Sequence, residues 1–305
     1  MVLVTLKQIL GKANKNNYAV GAFNVNNMEF IQAVVNAAEL EKSPAIIQTS
    51  EGAIKYAGLA NLIAMVRLAA KRTKAPIALH LDHGKDMNMI KNCIKYGYTS
   101  VMIDGSKYPF KKNVAVTKKV VAMAHKKGVS VEAEIGTIGG VEDNVKSKNI
   151  ILSDVDDCYS FAKLTKIDAL AIAIGTSHGA YKFKGRSKLD FKRLREIKSK
   201  LNVPLVLHGS SSIYANIVKK AEKYGAKLGN AHGVMDSDVR KAVKYGINKV
   251  NIDTDLRLMF DASVREVIAK NPKVFDPRKI LGPARDAITE IVRHKMKILG
   301  SSGKA

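Results

Sequence analysis

Residues 76–86, PIALHLDHGKD, begin as an apolar run and end in three titratable side chains, His80, Asp82 and His83, followed by a glycine. Burying such groups costs several kcal/mol unless each finds a partner. They therefore either hold a ligand or are packed by other polar groups. Seven comparable runs recur at residues 19–25 (AVGAFNV), 44–50 (PAIIQTS), 99–105 (TSVMIDG), 129–136 (VSVEAEIG), 168–175 (DALAIAIG), 203–209 (VPLVLHG) and 248–254 (NKVNIDT). The stretches between them carry apolar residues at helical spacing, as at Val116, Val120 and Met123 ahead of the helix-stopping Gly128. Nearly continuous apolar strands separated by helices predict a parallel sheet covered on its faces. Eight such units in about 250 residues predict an α/β fold of the (β/α)8 TIM barrel type, since a doubly wound sheet normally needs fewer strands. Residues 5–13 read as a helix closing the bottom of the barrel, and the chain after Pro272 as additional C-terminal helices outside it. No Pro/Gly/Ser-rich linker interrupts the sequence, so residues 1–305 read as a single barrel domain.

With 46% hydrophobic residues, the 305-residue chain can bury a substantial core. Its two cysteines, Cys93 and Cys158, are far apart and outside any CxxC spacing, so no disulfide framework is expected and a reducing cytoplasm suits the chain. No apolar run approaches the roughly 18 residues of a membrane span, and the opening MVLVTLKQIL lacks the parts of a signal peptide. A soluble protein with no membrane partner is the expectation. The formal charge of +24 is compatible with nucleic acid, an anionic membrane or an acidic small substrate. The lysines fall in scattered pairs, such as Lys118-Lys119, Lys126-Lys127 and Lys219-Lys220, rather than in one arm or stripe. That scatter argues against the first two as primary partners.

Active sites of barrels assemble at the C-terminal ends of the strands. Here those ends carry His80, Asp82 and His83, then Asp104, Glu134, His178, His208, Asn251 and Asp253. His83, His178 and His208, each followed by glycine, form a candidate tripod for Zn²⁺ with a position open to water or substrate. His80 lies three residues before His83, so strand alternation places it on the opposite face, where it packs structurally. Asp104 and Glu134 are candidates to bind a second divalent ion or to order the histidines from behind. Asp82 is a candidate general acid/base beside the tripod. Two glycine-rich segments, GTSHGAYKFKG (residues 175–185) and HGSSS (residues 208–212), follow strands and offer backbone N–H groups to an anion. Lys182 adds a point charge there and Arg257 a fork-shaped contact. Residues 136–149, GTIGGVEDNVKSKN, read as a lid that brings Glu142 to the site, where it could take a proton from a carbon next to a polarised carbonyl.

In order along the chain, AFNVNN, SEGA, HLDHG, MIDGS, EAEIGTIGG with ED, HG with YK, LHGSSS and NIDTD together resemble the class II, metal-dependent fructose-1,6-bisphosphate aldolases. The resemblance implies a (β/α)8 barrel, a homodimer or larger homo-oligomer, and reversible cleavage of fructose 1,6-bisphosphate into dihydroxyacetone phosphate and glyceraldehyde 3-phosphate. It assigns the catalytic zinc to His83, His178 and His208, a second metal to Asp104 and Glu134, and leaves room for a monovalent cation. It gives Asp82 the proton exchange with the C4 oxygen and Glu142 the proton transfer at C3 of dihydroxyacetone phosphate. Asn24, Ser50, Gly179, Lys182, Gly209, Ser211, Asn251, Asp253 and Thr254 are then substrate-binding residues, and Arg257 meets the other phosphate. The phosphate loop departs from the family's usual HGG(S/T)G, because Ser210 and Ser212 stand where glycines are common. Tagatose 1,6-bisphosphate is the alternative substrate, although Asp253 with Arg257 looks more like the fructose branch. A barrel metallohydrolase is a more remote reading, weakened because the first strand, AVGAFNV, has no histidine pair. A nucleic-acid-binding protein is the third reading, motivated by charge.

Overall fold

Eight parallel strands close on one another in this computed structural model, which describes residues 3–142, 145–147, 150–179, 188–229 and 232–305, with only the backbone for residues 141–142 and 145–147. In chain order the strands are β1 (Val20–Asn24), β2 (Ala45–Ser50), β3 (Ile77–Gly84), β4 (Ser100–Ile103), β5 (Ser130–Ile135), β6 (Gly139–Glu142), β7 (Val145–Ser147), β8 (Ala169–Ile172), β9 (Ser177–His178), β10 (Leu205–Leu207) and β11 (Ile247–Ile252). The barrel runs β1-β2-β3-β4-β5-β8-β10-β11 and closes with β11 on β1. Its members are the eight strands read from the sequence. The other three, β7-β6-β9, form a small separate sheet.

Alternation along the barrel strands sorts side chains into two compartments. Phe23, Ile47, Leu79, Leu81, Val131, Leu170, Leu207 and Val250 join the apolar layer between sheet and helices. Their neighbours Val20, Ala22, Ile46, Ala78, Ala169, Ala171 and Val206 form a second cluster with Leu6, Ile9, Leu10 and Ala13 of the first helix, Leu6–Lys15. That helix starts at the capping box of Thr5 and Gln8 and seals the bottom, as its sequence predicts. The small alanines leave it room. Continuing up the same inward positions, the side chains turn polar: Asn24, Gln48, His80, Asp82, Glu132, Glu134, His208, Lys249 and Asn251 are all buried.

The C-terminal helix Pro277–Leu299 packs outside the barrel against Met28–Glu41 and Thr254–Lys270. Arg293 on it reaches Glu41 at 2.8 Å. Among the described residues no single helix is long and apolar enough to cross a membrane.

Candidate active site

The barrel mouth gathers the three histidines. Ligand atoms of His83, His178 and His208 all lie within 4.8 Å of one another, and all three residues are buried. His83 reaches this cluster against the expected alternation. The pairing of β3 with β4 shifts register between Leu81 and Gly84, and His83 adopts a φ of +47°, in the left-handed region. The bulge turns its ring back into the barrel, so His80 and His83 share one compartment rather than opposite faces. The structural role expected of His80 stands for another reason: its Nδ1 is 2.8 Å from Ser100 Oγ and its Nε2 3.6 Å from Glu132, in the layer beneath the triad.

Two of the rings are braced from behind by carboxylates. His83 Nδ1 lies 3.2 Å from Asp104 Oδ2, and His208 Nε2 lies 2.8 Å from Glu132 Oε1. A carboxylate only accepts, so each ring directs an N–H outward and a lone pair toward the other. Those inward nitrogens, His83 Nε2 and His208 Nδ1, are 2.9 Å apart. Two lone pairs at that distance repel unless a proton or a metal cation lies between them. Electrostatics points the same way: burial opposes a charge on His83, yet Asp82, Asp104 and Glu134 raise its pKa to about 10. A pocket that draws a proton so strongly draws a cation. Burial, with the charge of His83 next, pushes His208 well below the ordinary histidine value, which keeps its ring neutral, the form able to coordinate a metal. Three imidazoles with orienting carboxylates behind them are a donor set that fits zinc.

Asp82 sits beside the triad and is held by three amides. Its Oδ2 accepts from Asn24 at 2.9 Å and Gln48 at 3.3 Å, and its Oδ1 from Asn251 at 3.1 Å. Burial works to raise its pKa, but the positive electrostatics of His83, His208 and Lys249, with the hydrogen bond from Asn24, prevail, so the carboxyl titrates below its usual range. Glu134 behaves oppositely: burial and the charge of Asp104 lift it to about 8. Its Oε2 is 3.7 Å from His208 Nδ1. Asp104 is ionised well below the carboxylate range; burial is outweighed by His83 and Ser106.

The other expected residues surround this centre. Ser50, paired in register with Asp82, caps the helix Glu51–Ala57 by accepting from Ala53 N–H at 3.1 Å. Gly209 has a φ of +60°, and a Cβ there would stand 2.6 Å from the Ser177 carbonyl oxygen, so only glycine lets the two loops touch. Ser211 Oγ accepts from Asp253 N–H at 3.3 Å, and Arg257 Nε donates to Asp253 Oδ1 at 2.7 Å. The Ser210 hydroxyl, where a glycine was expected, donates to the carbonyls of Leu207 and Asn251 at 3.3 and 3.0 Å. Thr254 opens the helix Thr254–Lys270 and is buried, while Gly179 has a φ of +85°. The stretch expected to be a lid has its first part in β6, whose Gly140 pairs with His178 of β9. Glu142 is placed there by its backbone alone, and Lys182 lies outside the described residues.

Sequence reasoning missed Gln48, Glu132 and Lys249. Lys249 Nζ is 2.8 Å from Glu132 Oε2, and both side chains are fully buried. The signal was present: a polar residue at an inward position within each otherwise apolar strand.

The comparisons agree along the entire molecule. The family model described as fructose-bisphosphate aldolase class-II matches residues 4–304. A fructose-bisphosphate aldolase of Thermus caldophilus is 49% identical over 306 residues, covering 100% of both chains. One from Giardia intestinalis is 47% identical over 308 residues, covering 100% of this chain and 95% of the relative. Among solved structures, the YdjI aldolase of Escherichia coli K12 superposes with a TM-score of 0.81 at 30% identity over 100% of both chains. The likeness extends from the bottom helix through the last helix rather than resting on one motif, and on that ground the chain belongs to the class II fructose-bisphosphate aldolase family.

Proposed function

We propose that this chain is a zinc-dependent aldolase that reversibly cleaves fructose 1,6-bisphosphate to dihydroxyacetone phosphate and glyceraldehyde 3-phosphate. The observation that carries the proposal is the meeting of His83, His178 and His208 beside a buried, amide-held Asp82. Those histidines would hold the metal, which when bound supplies a Lewis acid for negative charge developing on the substrate's carbonyl oxygen. Asp82 takes the proton of the C4 hydroxyl as the C3–C4 bond breaks; C4 becomes the aldehyde carbon, and the bonding electron pair moves toward C3 and the C2 oxygen. Asn24, Gln48 and Asn251 keep that carboxylate aimed, so it meets the hydroxyl already oriented. Glu142 then returns a proton to C3, which completes dihydroxyacetone phosphate; support for this role is its place on β6, next to the strand of His178.

The loops at Gly179, Lys182, Gly209 and Ser211, with Asn251 and Thr254, take one phosphate, and Arg257, aligned by Asp253, takes the other. Of the roles open to Asp104, its contact with His83 supports orientation of that ligand; a second divalent ion at Asp104 and Glu134 is supported by the family resemblance only. A homo-oligomer rests on that resemblance as well, and a cytoplasmic location on the two isolated cysteines, Cys93 and Cys158.

A coupled assay of fructose 1,6-bisphosphate cleavage, run with and without a chelator and with borohydride, tests the reading. The expected result is loss on chelation, recovery on adding Zn²⁺, no borohydride inactivation, and a higher kcat/KM for fructose than for tagatose bisphosphate. Cleavage that persists after complete metal removal refutes it.

A further inference from the structure

A second buried charge cluster lies behind the loop that follows β10. Its centre is Lys295, on the C-terminal helix and 2% exposed. The Lys295 ammonium is 2.9 Å from Asp255 Oδ2 and 3.3 Å from Asp236 Oδ1, donates to Ser212 Oγ at 2.6 Å, and lies 4.7 Å from the centre of the Tyr214 ring. Asp255 in turn accepts the backbone N–H groups of Ser212 at 2.9 Å and Ile213 at 2.7 Å. The Ser212 hydroxyl donates to Asp236 at 2.7 Å. From the opposite side, Val234 N–H donates to the Ser211 carbonyl at 3.1 Å, and a Cβ on Gly233 would stand 2.2 Å from the same oxygen.

Two features show that this clamp holds the loop rather than merely filling space. Ile213 has a φ of +52°, a left-handed conformation that a β-branched residue keeps only where its surroundings enforce it. Its N–H and that of Ser212 are the two groups gripped by Asp255. The second feature is charge: Asp255 and Asp236 place two carboxylates directly behind a loop meant for a phosphate, and at short range their repulsion would be severe. Lys295 is the cation set between them.

We infer that Lys295 is a positioning residue for phosphate binding: through Asp255 and Ser212 it fixes the backbone of residues 209–213 and offsets part of the negative charge behind it. This rests on the proposed aldolase reading, in which that loop receives a substrate phosphate. It also accounts for Ser212 where glycine is usual, because the hydroxyl is a part of the clamp.

The test uses the full-length, zinc-loaded enzyme with Lys295→Met and Lys295→Arg. KM and kcat are measured with fructose 1,6-bisphosphate, the affinity for inorganic phosphate by titration calorimetry, and zinc content by metal analysis. Lys295→Met is expected to raise KM and weaken phosphate binding about tenfold, equivalent to ~1.4 kcal/mol, with kcat changed less than about threefold and zinc retained. Lys295→Arg, which keeps the cation, recovers most of the loss. A fall in kcat at unchanged KM and phosphate affinity, or no change in any of the three, overturns the inference. If Lys295→Met does not fold, Asp255→Asn reads the same quantities, and unchanged KM and phosphate affinity there overturn it equally. A wild-type chain that binds phosphate but cleaves no bisphosphate sinks the aldolase reading while the clamp comparison still gives its answer.

Discussion

The lower and upper halves of the barrel interior are built by the same strands and the same alternation, yet they are stabilised in opposite ways. Below, Val20, Ala22, Ile46, Ala78, Ala169, Ala171 and Val206 close around Leu10 and its neighbours in an apolar cluster. Removing that apolar surface from water is favourable by roughly 25 cal/mol per Å². Above, the inward positions hold Asp82, Glu132, Glu134, His80, His83, His208 and Lys249, which are buried at a cost and recover it through one another and through polar neighbours such as Asn24, Gln48, Ser100, Asp104 and Asn251. Well-packed apolar residues commonly do as well or better for stability than such ion pairs. The upper half is therefore shaped for chemistry, and the lower half for holding it in place.

The most severe way to probe that contrast is to take a ligand from the upper half. His208→Ala should cost on the order of 10³-fold in kcat/KM and abolish stoichiometric zinc, read by metal analysis beside an unchanged circular dichroism spectrum. Asp82→Ala removes the proton carrier and leaves the triad, so turnover should fall about 10²–10⁴-fold with zinc still bound; retained turnover would remove Asp82 from the mechanism. Glu132→Gln touches neither substrate nor metal and should weaken zinc about 10–100-fold, measured against a chromophoric chelator. It also strands Lys249, for a loss of about 3–5 kcal/mol of stability. Adding Lys249→Met should restore the melting temperature but not the zinc affinity, which separates the two functions of Glu132.

A gentler probe is pH. His83 is raised to about 10, so near neutrality its ring holds a proton that Zn²⁺ must displace. Apparent zinc affinity should thus climb with pH, about tenfold from pH 7 to 8 for one displaced proton; a flat profile would contradict the assignment. Smallest of all in catalytic effect is Leu10→Ala in the lower half: about 2–5 kcal/mol of stability lost by denaturant titration, with kcat within about twofold. A large drop in kcat there would break the division between the halves.

Much of this was legible before any coordinates. The barrel strands announced themselves because both of their faces are buried, which leaves continuous apolar runs such as VPLVLHG. The histidine triad was legible from His-Gly pairs at three strand ends. The orientation of His83 was not, because a period of two cannot register the shift between Leu81 and Gly84. Nor was the small sheet of β6, β7 and β9, whose strands of two to four residues are too short to carry a periodic signal. Glu132 and Lys249 do not stand out in the sequence because they lie mid-strand, deeper on the inward side, rather than at the strand ends where barrel sites assemble. The clamp at Lys295 joins residues 212, 236, 255 and 295, and nothing local in sequence connects them.

One backbone contact ties the strand of Glu142 to that of His178. Gly140 pairs with His178, and a methyl group on it would stand 2.3 Å from the His178 carbonyl oxygen. From His178 to the backbone of Glu142 the connection thus runs across a rung of the small sheet and two residues further along β6. Main-chain pairing sets the spacing of these two backbones, and an alanine at position 140 would disturb both together.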